Sequence, residues 1–164
     1  MKIDKIYVIN LNTDEDIIWG KLRDLNIRPT DCRITKAING WEVVKGTEKP
    51  PFKYKAANWW KIEHNNSFFN REVTPGEIGC TLSHYDCIKD AYESGYDNIM
   101  ILEEDFISTR TFPTDKMFKE LDKDWSMVYL SRNAQNPSLE TDASENILNT
   151  HYTYNTHAYI LSRK

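Results

Sequence analysis

A short apolar segment that ends abruptly in three acidic residues is the feature that most constrains the fold. Residues 99–102 are Ile-Met-Ile-Leu, and Glu103, Glu104 and Asp105 follow directly. An uninterrupted apolar run of this length is typical of a strand that is buried on both faces of a parallel sheet. Such sheets occur in α/β domains whose helices cover both faces, so the segment favours a layered α/β fold.

The beginning of the chain predicts a β-α-β unit. Residues 5–11 are rich in β-branched side chains and predict a buried strand. Apolar residues recur at helical spacing over 14–26, which predicts an amphipathic helix with Thr13 as its hydroxyl cap. Residues 32–38 predict a second strand, which an Asn-Gly turn at 39–40 ends. This order of elements favours a parallel sheet with a right-handed crossover.

The rest of the chain predicts further helices and strands around the central run. Residues 75–79 predict a turn, and a helix capped by Thr81 or Ser83 follows and stops at Gly95. The remaining predicted elements are a short helix over 56–63, a helix from Pro113, and strands over 127–130, 147–152 and 158–161.

Length and composition exclude several classes of protein. The 164 residues fit one domain, and 40% hydrophobic with 28% charged residues is typical of a soluble globular chain. A net charge of -4 argues against nucleic-acid binding or attachment to an anionic membrane. No apolar run approaches the roughly 20 residues of a membrane span. Three cysteines cannot all pair and form no Cys-x-x-Cys motif, so we expect reduced thiols in a cytoplasmic protein.

The acidic triplet is the best candidate for chemistry, because ligands of open α/β sheets bind beyond the carboxyl ends of strands. Alternate side chains of a strand share a face. Glu103 and Asp105 are therefore expected to converge, while Glu104 points away. Two converging carboxylates can hold a hard divalent cation and leave positions open for a substrate diphosphate. The alternative is an ordinary solvated exit from a buried strand.

Two histidines and a tryptophan pair each allow a structural and a functional interpretation. His84 faces the predicted sheet by its helical spacing, and it is either a core histidine or a site residue. His157 precedes the last predicted strand, and it is either an edge histidine or an imidazole ligand to the same cation. Trp59 and Trp60 belong either to the core or to a wall that stacks on sugar rings.

Several of these segments, taken in order, resemble glycosyltransferase family 25, which includes lipopolysaccharide-biosynthesis galactosyltransferases and procollagen galactosyltransferases. The most specific is Pro-Gly-Glu-Ile-Gly-Cys-Thr-Leu-Ser-His at 75–84, which is followed by Ile-Leu-Glu-Glu-Asp-Phe at 101–106. The other similar segments are Ile-Tyr-Val-Ile-Asn-Leu at 6–11, Ala-Ile-Asn-Gly at 37–40, Met-Val-Tyr-Leu at 127–130 and Thr-His-Ala-Tyr-Ile-Leu-Ser-Arg at 156–163.

The resemblance implies a fold and an activity. The expected fold is a GT-A-like, Rossmann-type α/β/α sandwich with a mostly parallel central sheet, in a single glycosyltransferase-like domain over 1–164 that ends before its relatives do. The expected activity is transfer of a hexose, galactose or glucose, from a UDP-sugar to a hydroxyl of a glycan or protein acceptor, with inversion and with Mn²⁺ or Mg²⁺. One alternative is a non-catalytic relative that binds a nucleotide sugar or glycan. Another is a different metal-dependent phosphate enzyme that shares only the carboxylates.

The resemblance also assigns roles to individual residues. His157 is added to the metal ligands as the imidazole considered above. The candidate metal ligands are Glu103, Asp105 and His157. The candidate donor-binding residues are Asn10, Leu11, Asn12, Ser83, His84, Glu103 and Glu104. The candidates for the general base are Glu77, His84 and Asp86. The non-catalytic alternative rests on three departures from the family pattern, namely Glu104 in place of the usual Asp, the absence of arginine over 12–16 and an expected end of the domain before that of its relatives.

Overall fold

A computed structural model describes residues 2–53, 73–107, 118–151 and 153–164. The predicted helix over 56–63, with Trp59 and Trp60, lies outside the described residues, as does the start of the helix predicted from Pro113.

The described residues form a five-stranded central sheet in the order β2-β1-β3-β7-β4, and a separate two-stranded sheet formed by β5 and β6. The strands are β1 (Lys5–Asn10), β2 (Cys32–Lys36), β3 (Asn98–Glu103), β4 (Met127–Ala134), β5 (Thr141–Asp142), β6 (Leu148–Asn149) and β7 (Thr153–Ser162). The helices are α1 (Glu15–Asp24), α2 (Gly40–Lys45) and α3 (Pro75–Ser94). No helix of the described residues has the length and apolar character that crossing a bilayer requires.

Strand directions confirm a parallel core within a mixed sheet. Strand β1 pairs in parallel with both β2 and β3, whereas β7 runs antiparallel to both of its neighbours, β3 and β4. Four strands of the central sheet therefore share one direction, and β7 alone opposes them. The apolar run at 99–102 lies in β3, the middle strand of this sheet.

The two faces of the sheet carry separate cores. The face toward α1 buries residues such as Val8 and Ile18. The face toward α3 buries residues such as Cys87 and Ile101. The chain moves one way across the sheet from β1 to β2 and the other way from β2 to β3, so crossovers of one hand place their helices on opposite faces. The described residues thus form helix, sheet and helix layers.

The starts of α1 and α3 differ from the sequence prediction, and α2 lies where a turn was predicted. Helix α3 begins at Pro75 and is capped by Thr74, not by Thr81 or Ser83, because Thr74 and Glu77 form a capping box and proline suits the first helical position. Residues 75–79 are therefore helix and not a turn. Helix α1 is capped by the side chain of Asp14 instead of Thr13, and Asn39 caps α2 instead of forming a turn.

A close backbone crossing fixes α3 against the segment that follows β2. A Cβ atom on Gly79 would lie 2.5 Å from the carbonyl oxygen of Ile38 and 2.6 Å from the backbone nitrogen of Gly40. The buried Ser83 hydroxyl accepts a hydrogen bond from the Ile38 N–H at 2.8 Å and donates one to the Gly79 carbonyl at 2.7 Å. The amino-terminal half of α3 is therefore held at the carboxyl edge of the sheet.

Gly79→Ala is expected to destabilise the fold by about 1–3 kcal/mol, because the added methyl group meets backbone atoms that cannot move aside cheaply. Gly20→Ala is the matched control, since Gly20 lies inside α1 with open space around its Cβ position and should gain about 0.5–1 kcal/mol. Urea unfolding of both variants measures the difference. Equal stability of the two variants would contradict the close backbone contact at Gly79.

Candidate functional site

The candidate site lies at the carboxyl ends of β1 and β3, which are neighbours in the sheet. In the strand order, β2 follows β1 in the chain and lies on one side of this pair, and β4 follows β3 and lies on the other side. Open α/β sheets bind ligands at such a switch point. Glu103 is the last residue of β3, and Glu104 and Asp105 form the turn that follows. The sheet therefore brings the acidic triplet to the place where the sequence predicted chemistry.

Glu103 is bound to His84, which reaches it from α3. The imidazole Nε2 lies 3.1 Å from Oε1 of Glu103, and Nδ1 lies 2.7 Å from the hydroxyl of Tyr159 on β7. His84 is only 8% exposed, and its ring stacks on that of Tyr159. His84 thus faces the sheet, with a partner on each ring nitrogen.

The charge of Glu103 decides where the protons lie in the hydrogen bonds that link Glu103, His84 and Tyr159. The hydrogen bond from His84 lowers the pKa of Glu103, and the electrostatic effect of the nearby rings of His84 and His157 acts in the same direction, against the effect of burial. An ionised carboxylate only accepts, so Nε2 carries a proton and, in the neutral imidazole, Nδ1 accepts the hydroxyl proton of Tyr159. In that state His84 orients Glu103 rather than offering a free basic nitrogen.

Cys80 is a neighbour of this pair that the sequence analysis missed. It lies one helical turn before His84, and its Sγ is 3.9 Å from Oε1 of Glu103. One donor atom each from Cys80, His84 and Glu103 lies within 4.8 Å of the other two. The i, i+4 spacing of a cysteine and a histidine on one helix was a signal that could have found it.

Glu104 does not face the same space as Glu103. Its Oε2 accepts hydrogen bonds from the backbone N–H groups of Leu11, Asn12 and Thr13 at 2.7, 3.2 and 3.1 Å. Successive backbone N–H groups of this kind form a concavity that binds anions. The carboxylate of Glu104 therefore occupies the anion site of the β1–α1 loop.

The loop between β1 and α1 is further fixed by Asn10. Its side-chain amide donates to the Thr13 carbonyl and accepts from the Thr13 N–H, both at 2.9 Å. The predicted donor-binding residues Asn10, Leu11, Asn12 and Glu104 are thus brought together, because the side chains of Asn10 and Glu104 bond the backbone of this loop. Ser83, also predicted to bind the donor, anchors α3 as described above, and contact of these residues with a donor stays a prediction.

Asp105 and His157 come from the turn after β3 and from β7, respectively. Asp105 is exposed beyond the strand end and is not in the group of Cys80, His84 and Glu103. The β3–β7 ladder pairs Leu102 with Ala158. Glu103 and His157 are therefore the next residues along these two adjacent strands. His157 Nε2 is 2.8 Å from the Ser131 hydroxyl.

The other two candidates for the general base, Glu77 and Asp86, also belong to α3. Glu77 Oε2 accepts hydrogen bonds from the N–H and hydroxyl of Thr74 at 2.7 and 2.8 Å, inside the capping box of α3. Burial raises the pKa of Asp86, and the positive charge of Arg33 opposes this rise. The base role of Glu77, His84 and Asp86 stays a prediction.

The donor chemistry at the strand end suits a hard divalent cation. Within the described residues, both hydrogen bonds of the Glu103 carboxylate use Oε1, and the carboxylate of Asp105 is exposed two residues further on. Mn²⁺ and Mg²⁺ prefer carboxylate oxygens and keep several positions for water or phosphate. Glu103 and Asp105 fit that requirement.

Glu104→Ala is expected to destabilise the chain by about 1–3 kcal/mol, because three N–H groups of the β1–α1 loop lose their acceptor. Asp105→Ala, at the exposed neighbouring acid, should change stability by no more than about 0.5 kcal/mol. Chemical denaturation compares the two. An unchanged stability of Glu104→Ala would show that the carboxylate does not hold the loop.

Cys80 is expected to react slowly with iodoacetamide although the residue is exposed. Burial of its thiol and the negative charge of Glu103 raise the pKa of Cys80 to about 11. Near pH 8 the reactive thiolate is then about 10²-fold scarcer than for a free cysteine. Glu103→Gln removes the charge, lowers the pKa of the thiol and should speed alkylation, which mass spectrometry follows; a slower reaction would contradict this geometry. The other two cysteines, Cys32 and Cys87, are buried.

Comparison with known proteins agrees with the motifs. The sequence model of glycosyltransferase family 25 (LPS biosynthesis protein) matches residues 3–164. Mouse procollagen galactosyltransferase 2 is 27% identical over 99% of this chain and 26% of its own length. The human inactive glycosyltransferase 25 family member 3 is 25% identical over 96% of this chain and 27% of its own length.

A viral relative also aligns along nearly the whole chain. The procollagen lysyl hydroxylase and glycosyltransferase of Acanthamoeba polyphaga mimivirus is 26% identical over 98% of this chain and 18% of its own length. The chain thus spans about a quarter or less of the length of these curated relatives. Because the family match extends over nearly every residue, the chain belongs to glycosyltransferase family 25.

Proposed function

We propose that the chain is a metal-dependent hexosyltransferase of the GT-A kind, which transfers galactose or glucose from a UDP-sugar to a hydroxyl of a glycan or protein acceptor with inversion. The observation that carries the proposal is an ionised Glu103 held at the carboxyl edge of the sheet beside Asp105, in a chain of family 25. The names of the procollagen galactosyltransferases support galactose as the sugar.

Glu103 and Asp105 would hold the Mn²⁺ or Mg²⁺ ion. When bound, such a cation neutralises negative charge that develops on a leaving diphosphate. His84 and Tyr159 keep the Glu103 carboxylate ionised and in one orientation, through bonds of 3.1 and 2.7 Å. A ligand that is already oriented loses less entropy when the donor binds, which favours catalysis.

The β1–α1 loop would form the wall beside the donor nucleoside. Its backbone is fixed by Asn10 and Glu104, so it presents Leu11, which is 47% exposed, and Asn12 on a rigid frame. Since Glu104 already fills the anion site of this loop, the donor diphosphate would bind on the Glu103 and Asp105 side instead.

A second candidate function is nucleotide-sugar binding without transfer. The similarity to the human inactive family member 3 favours it, as does the occupied anion site in the β1–α1 loop. The two functions differ in turnover and not in UDP binding, so one experiment can separate them.

Purified chain should release UDP from UDP-galactose or UDP-glucose when Mn²⁺ is present, and EDTA should abolish the release. Asp105→Ala should lower the rate on the order of 10²-fold, because one ligand of the charge-neutralising cation is lost. Asp24→Ala is the control, since Asp24 ends α1 at the opposite edge of the sheet and should keep full activity. UDP binding by calorimetry without turnover would favour the non-catalytic function, and absence of both would overturn both proposals.

A further inference from the structure

We propose that Cys80, His84 and Glu103 form a binding site for one thiophilic divalent cation such as Zn²⁺, distinct in its donor atoms from the pair Glu103 and Asp105. The three residues come from two adjacent elements, α3 and β3. Glu103 belongs to both sites, so each cation would weaken binding of the other, because two positive charges would share one carboxylate.

The donor set selects the class of cation. Sulfur, imidazole nitrogen and carboxylate oxygen together suit Zn²⁺ or Co²⁺, whereas Mg²⁺ and Mn²⁺ favour oxygen ligands. Three protein ligands leave a fourth tetrahedral position open, as in zinc sites that also bind water or a small anion.

The distances are close to those that a tetrahedral ion requires. Metal bonds of about 2.0–2.3 Å place ligand atoms roughly 3.3–3.6 Å apart. The His84 nitrogen and the Glu103 oxygen are 3.1 Å apart, and the Cys80 sulfur and that same oxygen are 3.9 Å apart. Cys80 is exposed, so its side chain can turn toward the other two ligands without disturbing the core.

The surroundings of the site also fit a metal centre. A ligating histidine usually bonds a second oxygen through its other ring nitrogen, which fixes the ring. His84 has such a partner in the Tyr159 hydroxyl, 2.7 Å from Nδ1. When the cation replaces the Nε2 proton, the remaining proton of the ring lies on Nδ1, which then donates to that oxygen. Between the two helix ligands, α3 is anchored by Ser83, whose hydroxyl bonds the Ile38 N–H at 2.8 Å. Two ligands therefore lie on a helix that is fixed to the sheet.

Occupation of this site would place a second positive charge on the Glu103 carboxylate that Mn²⁺ also uses. The consequence, which rests on the proposed function, is that Zn²⁺ inhibits the Mn²⁺-dependent reaction by competing for one carboxylate. The cation site itself does not depend on that function, because its ligands and distances stand without a sugar donor.

Cobalt titration of the whole chain tests the site directly, because Co²⁺ gives a near-ultraviolet charge-transfer band only when a thiolate binds it. The wild-type chain should show that band, and Zn²⁺ should displace it at one equivalent. Cys80→Ser should abolish the band, and Tyr159→Phe should weaken Co²⁺ binding on the order of tenfold. Asp105→Ala should keep the band unchanged, which separates this site from the proposed Mn²⁺ ligands.

Absence of a thiolate band in the wild-type chain, or an equal band in Cys80→Ser, would overturn the proposal. Thermal unfolding without metal checks that Cys80→Ser folds, which is expected because the residue is exposed. If the band appears but the chain turns over no nucleotide sugar, the cation site stands and the proposed function fails. If the chain turns over a nucleotide sugar but shows no thiolate band, the proposed function stands and the cation site fails.

Discussion

The backbone contact between α3 and the segment after β2 is the constraint on which the site depends. Gly79 and Gly40 approach so closely that neither tolerates a Cβ atom without displacement of the other chain segment. Ser83 reinforces the contact with two hydrogen bonds. Because Cys80 and His84 each follow one of these anchoring residues, the helix that fixes the fold also presents the two donors toward Glu103. The family motif at 75–84 therefore holds both the residues that pack α3 against the sheet and the residues that face Glu103.

The three adjacent acids avoid mutual repulsion by facing different partners. Glu103 is bound by His84, Glu104 by three backbone N–H groups, and Asp105 is exposed to solvent. The rule that alternate side chains share a face places Glu103 correctly, since it is still within β3. It does not predict where Glu104 and Asp105 point, because both lie in the turn, where the periodicity of a strand no longer applies. Only the folded position of the β1–α1 loop shows what Glu104 binds.

The elements that were predicted correctly are those whose signal is local. The apolar residues of β1 and β3 need burial on both faces, and the stop of α3 at Gly95 follows from its left-handed conformation, with a φ of 77°. The start of α3 was missed because Pro, Gly and a second Gly within five residues resemble a turn. The capping pair Thr74 and Glu77 outweighs those residues. The antiparallel insertion of β7 between β3 and β4 depends on pairing between distant segments, which no local pattern records.

The length of Glu104 gives a physical reason for the proposed dependence on metal. Its carboxylate reaches the amides of the β1–α1 loop with one methylene more than an aspartate has, and so a negative charge already fills the anion site there. The neighbouring residues 12–16 include no arginine that could bind a diphosphate instead. Charge on a leaving diphosphate at this edge therefore has no cationic side chain in that loop to neutralise it. A cation held by Glu103 and Asp105 would supply the missing positive charge, so the departures in this loop favour a stronger need for metal rather than a loss of function.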